Sequence, residues 1–154
     1  MEDSPLALIA TLEHSALALW LRTSRAYPVL ETVHIVGLAT LFGSLLIVEL
    51  AIFGVVRRVD LGGLARQVLP WTLAGFALAG GTGAAMFVAR AGELVANPVF
   101  LAKLALIAVA GINAAWLHLR GPLDASSTLT RAQAALSLSI WLAVIGCGRW
   151  IAYF

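Results

Sequence analysis

Residues 28–54 read PVLETVHIVGLATLFGSLLIVELAIFG, and the ionisable side chains in this run are Glu31, His34 and Glu49. About 20 apolar residues form a helix long enough to cross a hydrocarbon core about 30 Å thick. Three further segments have a similar length and composition, and they span residues 68–89, 98–118 and 132–153. The sequence therefore predicts an all-α fold, a four-helix transmembrane bundle over residues 28–154.

The composition of the chain agrees with a membrane protein. Of its 154 residues, 61% are hydrophobic and 12% are charged, and the mean hydropathy is +0.95. An average soluble domain has about 25% charged residues, which excludes a soluble enzyme and a disordered tail. The net charge of +2 comes from 10 thinly spread Lys and Arg residues, so no nucleic-acid partner is expected. The expected surroundings are a lipid bilayer.

The first 27 residues have a different pattern. Apolar side chains such as Leu6 and Leu12 alternate with charged ones such as Glu13 and Arg22. This mixture is typical of an amphipathic helix that lies in the plane of the membrane interface. The segment begins with acidic rather than basic residues, so a signal peptide is not expected. We therefore predict an N-terminal interfacial amphipathic helix over residues 1–27.

Three short polar connections, at residues 55–67, 90–97 and 119–131, join the four apolar segments. The first and third connections share one side of the membrane, and Arg and Lys residues are enriched on the cytoplasmic side. We therefore expect these two connections in the cytoplasm and both termini on the outer side. The arginines counted on the expected inner side are Arg57, Arg58, Arg66, Arg120 and Arg131, against Arg22, Arg25 and Arg90 on the outer side.

Four ionisable residues lie inside the predicted membrane helices at the same outer level. Glu31 and His34 lie in the first two turns of the first helix, and their spacing places them on one helix face. Lys103 lies about one turn into the third helix, and Arg149 lies about one turn before the end of the fourth. Ionisable groups at such a depth are costly and usually face a bundle interior or a cavity. We interpret the four as a candidate site.

Other polar and small residues have structural interpretations. Glu49 lies near the inner end of the first helix, where Arg57, Arg58 or Arg120 could neutralise it in an ion pair. Small residues on two helices are typical of close helix packing, and polar side chains can hydrogen-bond between helices. The residues with these expected roles are Gly75, Ala79, Thr82 and Gly83 on the second helix and Gly111, Asn113 and Ala115 on the third.

The order of these motifs resembles a small bacterial membrane-protein family of unknown function. The resemblance rests on Glu31-x-x-His34-x-x-Gly-Leu-Ala, Asn97-Pro-x-Phe-x-x-Lys103 and the closing Gly-Arg149-Trp-Ile-Ala-Tyr. It implies a multi-pass protein of the bacterial inner (cytoplasmic) membrane, so the outer side that the arginine count predicts for both termini is the periplasm. The family pattern usually has Asp where this chain has Glu49. More weakly, the His-x-x-Gly helix start is similar to copper resistance protein D and to the HemJ type of membrane protoporphyrinogen oxidase, which are associated with metal or haem.

The residues of the candidate site favour a haem b-binding redox or electron-transfer protein. Haem iron is held by an axial ligand, often histidine, and the propionates of haem pair with Arg and Lys. We expect His34 as the axial ligand, Lys103 and Arg149 as propionate partners, and Glu31 to orient His34 or relay protons. The second axial ligand is His14 if the N-terminal helix folds over the site, or a second copy of His34 in a homo-oligomer. Alternatively, this position is open for redox chemistry on a quinone or a porphyrin.

Copper handling is the first alternative. His34 and Glu31 can coordinate Cu(II), whereas Cu(I) prefers the soft ligands Met and Cys. The chain offers Met1, Met86 and Cys147 as soft ligands, so a partner protein would have to bring others.

The second alternative requires no metal. Lys103 and Arg149 can bind the headgroup of an anionic lipid, a quinone or a periplasmic partner protein. The sequence leaves open whether the protein is an enzyme.

Overall fold

The computed structural model describes residues 5–56 and 58–153, and within these ranges all regular secondary structure is helical. Four of the helices are long and apolar enough to cross a membrane, which confirms the all-α class and a multi-pass membrane protein. In chain order the helices are α1 (Pro5–Glu13), α2 (Ala16–Thr23), α3 (Ala26–Ile52), α4 (Leu61–Ala89), α5 (Ala91–Ala96), α6 (Pro98–Leu119) and α7 (Thr128–Trp150), followed by a 3-10 turn (Ile151–Tyr153).

The second membrane helix, α4, begins at Leu61 rather than at residue 68. Asp60 is its N-cap, and the carboxylate of Asp60 accepts hydrogen bonds from the backbone N–H groups of Gly62 and Gly63 at 3.1 and 2.9 Å. Such a cap satisfies N–H groups that have no partner in the first helical turn. The polar residues before position 68 therefore continue the helix, although the sequence pattern assigned them to a connection.

The N-terminal segment forms two helices where one was expected. Ser15 separates them, because its side chain caps α2 by accepting from the N–H of Ala18 at 3.2 Å. Helix α1 packs on α4 and α5, and the carboxylate of Glu13 accepts from the N–H of Gly92 at 2.8 Å. Helix α2 packs on α3 and α4. The segment therefore folds back onto the bundle, residues 1–4 lie outside the described part, and the interfacial location stays a prediction.

Helices α3 and α4 pack with their backbones in close approach. A Cβ atom added at Gly37 would lie 2.7 Å from the backbone nitrogen of Ala79, and one added at Gly75 would lie 2.6 Å from that of Leu41. Real side chains do not fit at such distances, so both positions require glycine. The predicted small-residue face of α4 therefore packs on α3. Gly111, its expected partner on α6, has no described heavy atom within 4 Å of an added Cβ.

The remaining helices complete an arrangement of two antiparallel pairs. Helix α6 packs mainly on α7, and the two pairs meet where α3 contacts α7. The apolar core contains Leu41, Ala110, Ile140, Trp141 and Val144. Helices α3 and α6 begin at the same end of the bundle, which we call the His34 end. The opposite end, where α3 finishes, is called the Glu49 end.

Candidate functional site

The imidazole ring of His34 is held against α4. Its Nδ1 atom lies 2.9 Å from the carbonyl oxygen of Ala79 and 3.0 Å from the hydroxyl oxygen of Thr82. The ring is half-buried, and a Cβ added at Gly83 would lie 3.3 Å from the ring atom Cε1. The small residues of α4 therefore leave room for the ring beside α3.

The two partners of Nδ1 determine which nitrogen carries the proton. A carbonyl oxygen only accepts hydrogen bonds, so Nδ1 donates to Ala79. The hydroxyl of Thr82 donates to the carbonyl of Leu78 at 2.7 Å, which leaves its oxygen free to accept from Nδ1. A neutral imidazole with its proton on Nδ1 has a lone pair on Nε2. No described residue forms a hydrogen bond with Nε2 of His34.

Lys103 lies in the same region of the bundle. A Cβ added at Gly148 would lie 3.5 Å from its Nζ atom, so the ammonium group rests against α7. Lys103 also interacts electrostatically with His34. Among the described residues no carboxylate forms a salt bridge with this ammonium. Lys103 therefore provides a positive charge between α6 and α7 at the His34 end.

Arg149 lies at the His34 end, and its side chain is exposed. Its Nη2 atom donates to the hydroxyl of Tyr153 at 3.0 Å, and its guanidinium carbon lies 5.3 Å from the centre of the Tyr153 ring. A guanidinium over an aromatic face is attracted to the negative face of the ring. The described contacts of the Arg149 side chain are therefore with Tyr153 in the C-terminal turn and not with His34.

Among the described residues, neither Glu31 nor His14 forms a hydrogen bond or a salt bridge with His34. Glu31 is exposed, and it forms no salt bridge with a described cation. The ring of His14 is exposed as well, and its Nδ1 atom lies 2.7 Å from the carbonyl oxygen of Ala10. The orienting position beside Nδ1 of His34, which we expected Glu31 to occupy, is taken by Ala79 and Thr82.

Two other arginines at the His34 end stabilise the helical connections. Arg90 forms a salt bridge with Glu93 at 2.6 Å, and the hydrogen bond that Arg90 donates to the Glu93 carboxylate holds the pKa of Arg90 above its ordinary value. Arg22 donates to the backbone carbonyl of Glu13. Each of these contacts joins residues of the connecting segments, so both arginines have structural roles.

The ligand set of the site suits a haem better than a bare metal ion. The described residues contain no group of three or more His, Cys, Asp or Glu side chains that could hold a metal. A protein copper site usually takes several nitrogen or sulfur ligands. Haem iron is already bound by the porphyrin, and one axial histidine can hold it. His34 alone can supply that ligand.

An apolar groove of about 670 Å³ lies beside the site, between α2, α3 and α4. Leu30 lies about one turn before His34 on α3, and Ala85 lies about one turn after Thr82 on α4, so the groove begins about one helical turn from the imidazole. Arg25 is the charged residue of its lining. The sequence did not indicate this groove, because it forms only when α2 folds back. Its lining residues are Leu17, Trp20, Leu21, Ser24, Arg25, Ala26, Val29, Leu30 and Ala85.

A second polar region lies at the Glu49 end. Glu49 is only 4% exposed, and Ser137 on α7 is a polar neighbour of its carboxyl group. The ion pair expected for Glu49 is not formed with any described arginine. Arg120 instead donates to Oε1 of Gln133 at 2.6 Å, and Arg57 lies outside the described residues. The burial of Glu49 was not foreseen from the sequence.

The polar residues expected to join helices do so. The amide of Asn113 donates to the backbone carbonyl of Gln133 at 3.1 Å, which links α6 to α7. Thr82 links α4 to α3 through its contact with His34. Asn97 caps α6 and also donates to the carbonyl of Ile151 at 3.2 Å. These bonds fix the helices that carry the site.

Comparison with known protein families identifies one match, described as "Family of unknown function (DUF6644)", over residues 25–154. The match covers most of the chain, so the protein belongs to this family. No curated protein and no solved structure matches the chain. The weaker resemblances to copper resistance protein D and to the HemJ-type oxidases gain no support from these comparisons.

Proposed function

We propose that this member of a family of unknown function is a haem b-binding redox protein, in which Nε2 of His34 is the axial ligand. The supporting observation is the hydrogen bond from Nδ1 to the carbonyl of Ala79. Metal-ligating histidines almost always donate their other ring N–H to a carbonyl, a carboxylate or water, which fixes the tautomer and the ring orientation. When bound, haem b supplies a reversible one-electron couple.

Lys103 and Arg149 are the proposed partners of the haem propionates. Lys103 is supported by its position at the His34 end and by the lack of a salt bridge to any described carboxylate. Arg149 can serve this role only if its guanidinium turns away from Tyr153, which it contacts at 3.0 Å. We therefore assign Lys103 the larger contribution, because its ammonium lies against α7 in the bundle, whereas Arg149 is exposed.

The proposed iron has either one protein ligand or two symmetry-related ones. His14 is bound to its own segment and exposed, so it does not supply the second ligand in the described arrangement. An open position allows electron exchange with a quinone, and a homo-oligomer allows two copies of His34 to share one haem. The proposed electron partners are a quinone or a periplasmic protein.

The proposed location is the bacterial inner membrane, with the His34 end and both termini on the periplasmic side. Support comes from the arginines at the Glu49 end, since positive residues are enriched in cytoplasmic connections. Arg58, Arg66 and Arg131 are all exposed there. The proposed haem site therefore faces the periplasm.

Optical spectra of the oxidised and reduced protein, purified in mild detergent, test this proposal when iron and copper are measured on the same sample. We expect a Soret band with iron near one atom per chain, or one per two chains if two copies of His34 share a haem. A colourless sample without iron contradicts the proposal. Copper in place of iron indicates the copper-handling alternative.

The apolar groove favours a second candidate function, a metal-free module that binds a quinone or an anionic lipid. Its apolar lining suits an isoprenoid or acyl tail, and Arg25 at the groove suits a polar headgroup. Organic extraction of the purified protein, followed by mass spectrometry, tests this candidate. A stoichiometric quinone or lipid in a colourless, metal-free sample supports it, and a haem spectrum without such a molecule contradicts it.

A further inference from the structure

Glu49 presents a buried carboxyl group with an incomplete set of partners. The residue is 4% exposed, and its Oε2 atom is enclosed without a hydrogen-bond partner among the described residues. Ser137 on α7 is a polar neighbour of the carboxyl group. Buried polar atoms of native proteins usually have partners, so an enclosed and unpartnered oxygen requires an explanation.

Other polar side chains in the half of the bundle that contains Glu49 have partners of their own. The hydroxyl groups of Ser44 and Thr72 lie 2.8 Å apart, and each also reaches a backbone carbonyl of its own helix. Arg120 donates to Gln133. These contacts leave no described donor directed at Oε2 of Glu49, so the protein as folded does not stabilise a second negative oxygen at this position.

The charged groups near the Glu49 end do not neutralise Glu49 within the described part of the chain. Salt bridges at this end would have to come from α4, from α6, from α7 or from their connections, and none to Glu49 is formed by the described residues. The described titratable residues at this end, apart from Glu49, all have exposed side chains. They are Arg58 and Asp60 before α4, Arg66 on α4, His118 and Arg120 at the end of α6, Asp124 in the following connection and Arg131 on α7.

We propose that Glu49 is a proton-binding site of the bundle: in the described arrangement a proton sits on Oε2, and the side chain is a neutral carboxylic acid. A carboxylate taken out of water without a partner loses far more hydration free energy than a neutral carboxyl group. Protonation removes the negative charge, so the enclosed group is buried in its neutral form, which costs much less than burying the carboxylate. This site is separate from the proposed haem site and does not depend on it.

The position of Glu49 allows the proton to exchange with water. Glu49 lies about one turn before Ile52, where α3 ends, so about 5 Å of helix separates it from the connection. It also lies where α3 meets α7, and this is the contact between the two helix pairs. When these helices separate slightly, the proton leaves Oε2 for water at the Glu49 end, and the carboxylate becomes hydrated. Closure restores the protonated form.

Infrared spectroscopy across a pH series tests this proposal in the full-length protein in detergent. We expect wild type to show, at pH 7, the carbonyl stretch of a protonated carboxylic acid, and we expect Glu49→Gln to lack this band. The matched control is Glu31→Gln, which changes an exposed glutamate of the same helix and should keep the band. A band that is absent from wild type at pH 7, or that is unchanged in Glu49→Gln, overturns the proposal.

The pH dependence of unfolding provides a second test that does not require a comparison of spectra. If the folded chain holds one proton more than the unfolded chain, the unfolding equilibrium constant of wild type rises about tenfold per pH unit, from the ordinary titration range of glutamate up to the pH at which the folded protein releases this proton. We expect Glu31→Gln to keep this dependence. A wild-type stability that is independent of pH contradicts the proposal.

A monovalent cation is the rival occupant of this position, and the infrared experiment distinguishes it from a proton. The protein is exchanged into buffers that contain sodium, potassium or only a bulky organic cation. A protonated-acid band of equal intensity in all three buffers supports the proton. A band that disappears in sodium or potassium overturns the proposal and indicates a cation site.

Discussion

The Nδ1 atom of His34 on α3 donates a hydrogen bond to the carbonyl oxygen of Ala79 on α4, across 2.9 Å. These residues are 45 positions apart in the chain. Their contact depends on the close approach of α3 and α4 at Gly37 and Gly75. Helix packing thus fixes the tautomer of the imidazole and leaves Nε2 available as a ligand, and the predictions below follow from this relationship.

Thr82→Val should weaken haem retention, because it removes the hydroxyl that accepts from Nδ1 of His34 at 3.0 Å. Loss of a group that orients a metal ligand typically lowers affinity about 10- to 100-fold. Haem transfer to an excess of apomyoglobin measures the retention. Thr40→Val is the control, since the hydroxyl of Thr40 bonds only to the carbonyl of Val36 in its own helix. Equal retention in both variants would argue against the orienting role of Thr82.

Lys103→Met should lower the reduction potential of the proposed haem. A positive charge near the iron favours the reduced form, which carries one electron more, and the low dielectric of the bundle strengthens this interaction. A spectroscopic redox titration measures the potential. The control Arg131→Gln removes an exposed cation at the other end of the bundle and should leave the potential unchanged. A Lys103→Met potential equal to that of wild type would remove Lys103 from the site.

Arg149→Gln should weaken haem retention while the fold stays intact, if the guanidinium turns from Tyr153 to a propionate. The contact that it loses in the described arrangement is a cation–π interaction at an exposed position, worth about 0.5–1 kcal/mol. Tyr153→Phe is the matched control, because it keeps the ring and removes the hydroxyl that accepts from Arg149. Unchanged retention in Arg149→Gln would identify Arg149 as an arginine that reaches to the lipid headgroups.

Gly75→Ala should destabilise the protein by about 1–3 kcal/mol, the usual cost of a methyl group forced into a packed interior. The added Cβ would lie 2.6 Å from the backbone nitrogen of Leu41, so α3 would have to move. Gly111→Ala is the control, because no described heavy atom lies within 4 Å of its added Cβ. Thermal unfolding in detergent measures both variants. Equal stability of the two would contradict the described packing of α3 on α4.

The sequence predicts the four membrane helices because their length and composition are required by the bilayer itself. It misplaces the start of α4, because Gly62, Gly63 and Arg66 have the composition of a connection although Asp60 caps a helix there. The fold-back of the N-terminal segment depends on the contact of Glu13 with Gly92, which are 79 positions apart. Such a pairing has no local signal.

The candidate site was predictable only in part, because the sequence indicates the direction of each helix but not its rotation about its own axis. Helix direction alone brings His34, Lys103 and Arg149 to one end of the bundle. The rotation of each helix about its axis decides which side chains face inward, and this depends on packing at Gly37 and Gly75. For this reason the sequence assigned Glu31 to a position that Ala79 and Thr82 occupy. A signal was present in the spacing of Ala79 and Thr82, which share a face of α4.

The assignment of His34 as the haem ligand is tested most directly by the absorption spectrum of His34→Ala beside that of His118→Ala. Both variants are expressed with haem precursor in excess and purified in the same detergent. His118 is a matched control, because it is exposed at the opposite end and its Nδ1 atom contacts the carbonyl of Ala114 in its own helix. We predict that His118→Ala retains the Soret band and iron content of wild type, whereas His34→Ala lacks both. A His34→Ala protein with the full complement of haem would contradict the assignment.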